Sequence, residues 1–122
     1  GNLCTFNLLQ GTEFLPELSG SVLFLEDDSL TFPAEFDRNL QSLLHLPSFA
    51  GVKGLVIGRF QRASKMSMDL LKKIIASKKE LQHIPVITNG DFGLTDPKIT
   101  LPIGGRVRVS AKDLKTEMVF TS

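Results

Sequence analysis

The stretch 21-SVLFLEDD-28 decides how the rest of this chain is read. Val22, Leu23, Phe24 and Leu25 form an unbroken apolar run that ends in three carboxylates, Glu26, Asp27 and Asp28. A run of this length, β-branched and aromatic, predicts a strand buried on both faces, as in a parallel sheet. Carboxylates at the carboxyl end of such a strand stand where open α/β sheets place ligand-binding groups. The competing reading is that Asp27 and Asp28 only cap the loop that follows.

Working outward, two more segments repeat the pattern. Residues 53-KGLVIGRF-60 and 84-IPVITN-89 predict a second and a third buried strand. Helical spacing lies between them. Pro33 opens a helix whose stripe is Phe36, Leu40, Leu43 and Leu44, closed by Pro47 and Gly51. Met66, Leu70, Leu71, Ile74 and Ile75 mark another, ending at Lys78 and Lys79. At the start, Leu3, Phe6 and Leu9 suit a helix over residues 2–10, with Asn2 as N-cap and Gly11 as its stop. Residues 12–20 read as a loop. Near the end, 106-RVRVSA-111 and 116-TEMVFTS-122 alternate polar and apolar, which predicts antiparallel strands about a turn at Lys112-Asp113. The order is helix, strand, helix, strand, helix, strand, hairpin. That is an α/β domain, a mostly parallel sheet closed by an antiparallel hairpin.

The totals bound the function. The 122 residues fit a single domain, 1–122, and suffice for a real core. Hydrophobic residues make up 42% and charged residues 22%, a globular composition. A net charge of +1 gives no bulk electrostatic case for nucleic acid or an anionic membrane. The short basic cluster Lys72, Lys73, Lys78 and Lys79 reads as a solvated face. Cys4 is the only cysteine, so no internal disulfide forms and a reducing compartment is the default. No apolar run reaches the length of a membrane span. Gly1-Asn2-Leu3 lacks a Met and runs straight into the first helical pattern, as in a piece of a longer protein.

Familiar motifs are missing. No glycine-rich phosphate loop follows a strand, no Cys/His set has zinc spacing, and no Ser sits in a nucleophile elbow. Ser19 is a turn serine. His83 and His45 read as helix-surface residues, Arg38 as half of a surface ion pair with Asp37, and Phe14, Phe60 and Phe92 as core. One segment remains, 91-DFGLTDPKITLPIGG-105. It is rich in Gly and Pro yet threaded with Phe92, Leu94, Ile99, Leu101 and Ile103, the signature of a loop held against a core.

Six segments occur in an order that resembles a known family: 1-GNL-3, 12-TEFLPEL-18, 23-LFLEDD-28, 36-FDRNL-40, 51-GVKGLVIGRF-60 and 91-DFGLTDPKITLPIGG-105. Together they resemble the C-terminal domain of the LD-carboxypeptidase family, which includes the microcin C immunity peptidases. The resemblance covers essentially the whole chain. It implies a swivelling β/β/α-type domain and a serine peptidase with a Ser-His-Glu triad. The Ser belongs to an N-terminal domain absent from these residues. Glu26 matches the triad Glu. The family His lies in a D-F-G-H-T-x-P segment, and in this sequence that slot is Leu94.

The resemblance therefore implies a loop built to hold a catalytic histidine, with Pro97 and Pro102 restricting it and its glycines allowing a close turn. Leu94 can neither accept nor donate a proton. The chain is expected to be inactive as it stands, and neither His83 nor His45 is expected to substitute. The parent is expected to be a cytoplasmic homodimer with no metal and no cofactor. Its substrate is expected to be a small peptide, a muramoyl tetrapeptide, or an aminoacyl-nucleotide conjugate of the microcin C type. The alternative is a non-catalytic relative that binds peptide or nucleotide without cutting it, with Leu94 in place of the His.

Overall fold

Three apolar runs lie side by side in the computed structural model, which describes residues 1–113 and 115–121. They are β1 (Val22–Leu25), β2 (Gly54–Gly58) and β3 (Val86–Gly90), a parallel sheet in the order β1-β2-β3. Every residue of β2 is buried, as a central parallel strand covered on both faces requires. β1 and β2 stay in register from Val22 opposite Gly54 to Leu25 opposite Ile57. β3 carries one residue more than β2 between the Val56–Ile87 and Gly58–Gly90 pairs. This bulge holds Asn89 at φ 61°, a left-handed conformation that asparagine tolerates.

Helices cover one face of the sheet. They are α1 (Leu3–Asn7), α2 (Pro33–Leu44) and α3 (Met68–Ala76). Pro33 fixes the first turn of α2, and Phe36, Leu40, Leu43 and Leu44 are its buried stripe. Ser67 caps α3, its hydroxyl accepting from the Leu70 N–H. Leu55 and Ile57 of β2 point into this helical layer, where Phe36 meets Phe60 edge to face at 4.9 Å between ring centroids.

A hairpin covers the other face. β4 (Arg106–Lys112) and β5 (Lys115–Thr121) pair antiparallel from Arg106–Thr121 to Lys112–Lys115. Val109 and Met118 pack against Val56, Ile87 and Phe92, and the Phe120 ring lies 6.0 Å from that of Phe24. The layers are thus helices, parallel sheet and antiparallel hairpin, the β/β/α order that the family resemblance implies.

Some expectations change. The first helix ends at Asn7, although Asn2 caps it as read, accepting from the Thr5 N–H at 2.9 Å. Short 3-10 turns at Pro47–Gly51, Arg62–Ser64 and Lys79–Leu81 were not foreseen. Lys78 is not on a solvated face: it is 5% exposed and pairs with Asp37. Asp37 therefore serves Lys78 rather than the neighbouring Arg38. Phe14 is 72% exposed and is not core. The hairpin reverses after Lys112, and Ser122, expected in the last strand, lies outside the described residues.

Candidate functional site

Parallel strands bring their carboxyl ends to one edge of the sheet. Glu26 leaves β1 there, Arg59 leaves β2 and Asp91 leaves β3. The backbone of Glu26 is fixed from the first residues of the chain: its carbonyl accepts from Leu3 N–H at 2.8 Å, and its N–H donates to Gly1 O at 3.0 Å. The strand end that carries the carboxylate is therefore rigid.

The loop after β3 folds back onto that carboxylate. Phe92 turns sharply, its N–H donating to Gly90 O at 2.9 Å, and its ring buries against Phe24 with centroids 5.6 Å apart. There is no room between these groups. A Cβ on Gly58 would lie 2.8 Å from Phe92 O and 3.2 Å from Glu26 Cβ. Gly93 has φ +99° and its backbone rests on the Glu26 side chain: a Cβ there would sit 3.3 Å from Glu26 Oε2. Leu94 follows directly and is 56% exposed. The structure thus brings the two sequence-predicted site positions, Glu26 and Leu94, to one place.

Three buried side-chain oxygens in this region have no hydrogen-bond partner: Glu26 Oε2, Asp27 Oδ2 and Thr95 Oγ1. Such atoms are uncommon in folded proteins and mark places where a partner is missing. Burial pushes the Glu26 pKa up, and the neighbouring Asp28 adds to the shift. Asp27 is 2% exposed, and burial raises its pKa to about 6 although the Cys4 N–H donates to its Oδ1. Asp28 does what the cap reading expected: its Oδ1 accepts from Leu30 N–H at 2.9 Å.

Both histidines are far from this edge. His83 precedes β3, so it lies at the amino end of the sheet, roughly 20 Å from Gly90 at ~3.3 Å per strand residue. His45 caps the carboxyl end of α2, which runs back from β1 toward the amino end. Among the described residues no group of three or more His, Cys, Asp or Glu could hold a metal ion. No helix of the described residues is long and apolar enough to cross a membrane. A groove of about 550 Å³ opens elsewhere, between β1 and residues 101–107, lined by apolar groups such as Phe24, Leu101, Ile103 and Phe120.

Sequence reasoning missed Arg59, Asp91 and the seat that Gly93 provides. Arg59 pairs with Asp91, and its Nε donates to Asn89 Oδ1 at 3.2 Å. The signal was present, because both residues follow strands just as Glu26 does, and the rule for carboxyl ends applies to all three.

Comparison with known proteins agrees with this architecture. Residues 1–109 match the family described as LD-carboxypeptidase C-terminal domain. The Bacillus subtilis protein YocD is 55% identical over 111 residues, 91% of this chain and 34% of YocD. A solved MccF-like protein from Bacillus anthracis superposes with a TM-score of 0.91 at 46% identity, covering 97% of this chain and 37% of that one. The muramoyltetrapeptide carboxypeptidase of Oxalobacter formigenes gives a TM-score of 0.81 at 29% identity, over 100% of this chain and 43% of that one. The chain thus spans about a third to two-fifths of the length of these relatives.

Proposed function

This chain belongs to the LD-carboxypeptidase C-terminal domain family, and from that premise we propose that it supplies the carboxylate of a Ser-His-Glu peptidase site while lacking its base. One observation carries the reading. Glu26 Oε2 is buried and unpartnered under Gly93, beside the loop position where the family places its histidine. A carboxylate so placed accepts an imidazole N–H, fixes the tautomer and stabilises the imidazolium formed when the ring takes a proton from a serine. Leu94 offers no N–H and no proton acceptor. His83 and His45 are at the wrong end of the sheet to replace it.

The nucleophilic serine comes from an N-terminal domain in the full-length protein, which acts as a cytoplasmic homodimer. The mechanism is attack by that serine on an amide near a free carboxylate. The substrate is a muramoyl tetrapeptide or an aminoacyl-nucleotide conjugate. With Leu94 the domain binds and frames such a substrate without moving a proton, and the exposure of Leu94 favours this role: its side chain is presented outward rather than buried in the core.

The test is hydrolysis by the full-length protein, as it stands and as Leu94→His, on both substrates. The expected result is cleavage only by Leu94→His, by at least about 10³-fold over background, since a triad without its base loses several orders of magnitude. The substrate cut identifies the branch. Equal turnover by both versions would overturn the reading. Tight binding without turnover by either would move the protein to the binding class.

A further inference from the structure

We propose that Arg59 is a positioning residue for this site: through Asn89 and Asp91 it fixes the loop that seats Gly93 and position 94 on Glu26. Arg59 touches neither Glu26 nor Leu94 in any hydrogen bond or ion pair. It works at the base of the loop. Its backbone N–H donates to Gly90 O at 3.2 Å, its Nε donates to Asn89 Oδ1 at 3.2 Å, and its guanidinium pairs with Asp91.

Each of these partners marks a point where the chain departs from the regular strand. Asn89 is the left-handed residue of the β3 bulge. Gly90 is the last residue of β3, and its carbonyl also accepts from Phe92 N–H. Asp91 begins the loop, and its own carbonyl accepts from Ile99 N–H at 2.8 Å, which closes residues 91–99 into a ring. One side chain therefore ties the bulge to the first residue of the ring. A planar guanidinium with several fixed donors can hold two acceptors at once, which a lysine ammonium does less rigidly.

The consequence reaches Glu26 through Phe92 and Gly93. If the ring is held, the Gly93 backbone stays on the Glu26 carboxyl group and keeps water from Oε2. If the ring is released, water reaches that oxygen. Whatever side chain occupies position 94 takes its geometry from the same tie.

This inference rests on reading Glu26 as the site carboxylate, but its test needs no turnover, so the two readings fail separately. The Glu26 side-chain carboxyl is titrated by carbon NMR in the 122-residue chain, in Arg59→Met and in Asp91→Asn. Asp27 and Asp28 are unchanged in all three. Through space alone the two substitutions act in opposite senses: loss of the Arg59 cation raises the Glu26 pKa, and loss of the Asp91 anion lowers it. Release of the loop hydrates Glu26 and lowers its pKa in both. The expected result is a lower Glu26 pKa in both variants, with Ile99 amide exchange at least tenfold faster, and partial recovery of slow exchange in Arg59→Lys. Shifts of opposite sign, or no shift, with Ile99 exchange unchanged would overturn the proposal. If Arg59→Met does not fold, the near-isosteric Asp91→Asn decides alone, and an unchanged Ile99 exchange rate in it overturns the proposal.

Discussion

The helical layer and the Glu26 corner of the parallel sheet treat polar groups in opposite ways. In the helical layer the buried Lys78 pairs with Asp37, and the buried Ser64 hydroxyl donates to Gln61 O. At the carboxyl ends of β1 and β3, Glu26, Asp27 and Thr95 keep buried oxygens without partners. A hydrogen bond left unmade in the interior costs about 1–3 kcal/mol. The framework is thus arranged for stability, and the carboxyl edge carries cost without local return. Such cost persists where something else must dock or react.

Breaking the contrast at the site should give the largest effect. In the full-length protein carrying Leu94→His, Glu26→Gln is expected to lower kcat by about 10³–10⁴-fold, because the ring then loses its orienting carboxylate. In the same background His83→Ala and His45→Ala, at the other end, are expected to change kcat by less than about twofold. Steady-state kinetics on the cleaved substrate checks both.

In the framework the effect should be on stability. Phe36 is 0% exposed, and Phe36→Ala is expected to cost about 3–5 kcal/mol in urea unfolding. Val119, 37% exposed on the hairpin, is expected to cost under about 1 kcal/mol as Val119→Ala. Equal losses would mean that the hairpin is as much core as the helical layer.

Gly93→Ala sharpens the comparison. At φ +99° a side chain is strained, and its Cβ would press on Glu26. The expected cost is about 1–3 kcal/mol, accompanied by a changed Glu26 titration, measured by unfolding and by NMR.

A further effect depends on pH. The Asp27 pKa in the folded chain is about 6, above its ordinary 3.8, so the folded state holds the proton more tightly. Its contribution to stability is therefore full below about pH 4 and is lost as the pH rises through 6. Asp27→Asn is expected to raise the urea midpoint at pH 7 and leave it unchanged near pH 4. A midpoint gain of the same size at both pH values would contradict the buried, raised Asp27.

Much of the fold was legible because it is periodic. Val22–Leu25, Leu55–Ile57 and the stripe of Phe36, Leu40, Leu43 and Leu44 each follow from spacing alone. Lys78 and Phe14 were not legible, because local pattern does not say which long side chain finds a partner or which aromatic lies outside the layers. Glu26 was legible from its place at a strand end, and Leu94 only through resemblance to a family. The pairing of Arg59 with Asp91 was hidden for a physical reason. It depends on the order of strands and on one inserted residue in β3, neither of which is written in any short motif.

The central claim is that Glu26 and position 94 form one site. The most direct measurement is the titration, by proton NMR, of the imidazole introduced by Leu94→His in this chain, compared with the same chain also carrying Glu26→Gln. Contact with the carboxylate predicts a higher imidazole pKa with Glu26 than with Gln. An imidazole at position 94 that titrates identically in the two backgrounds would contradict the claim.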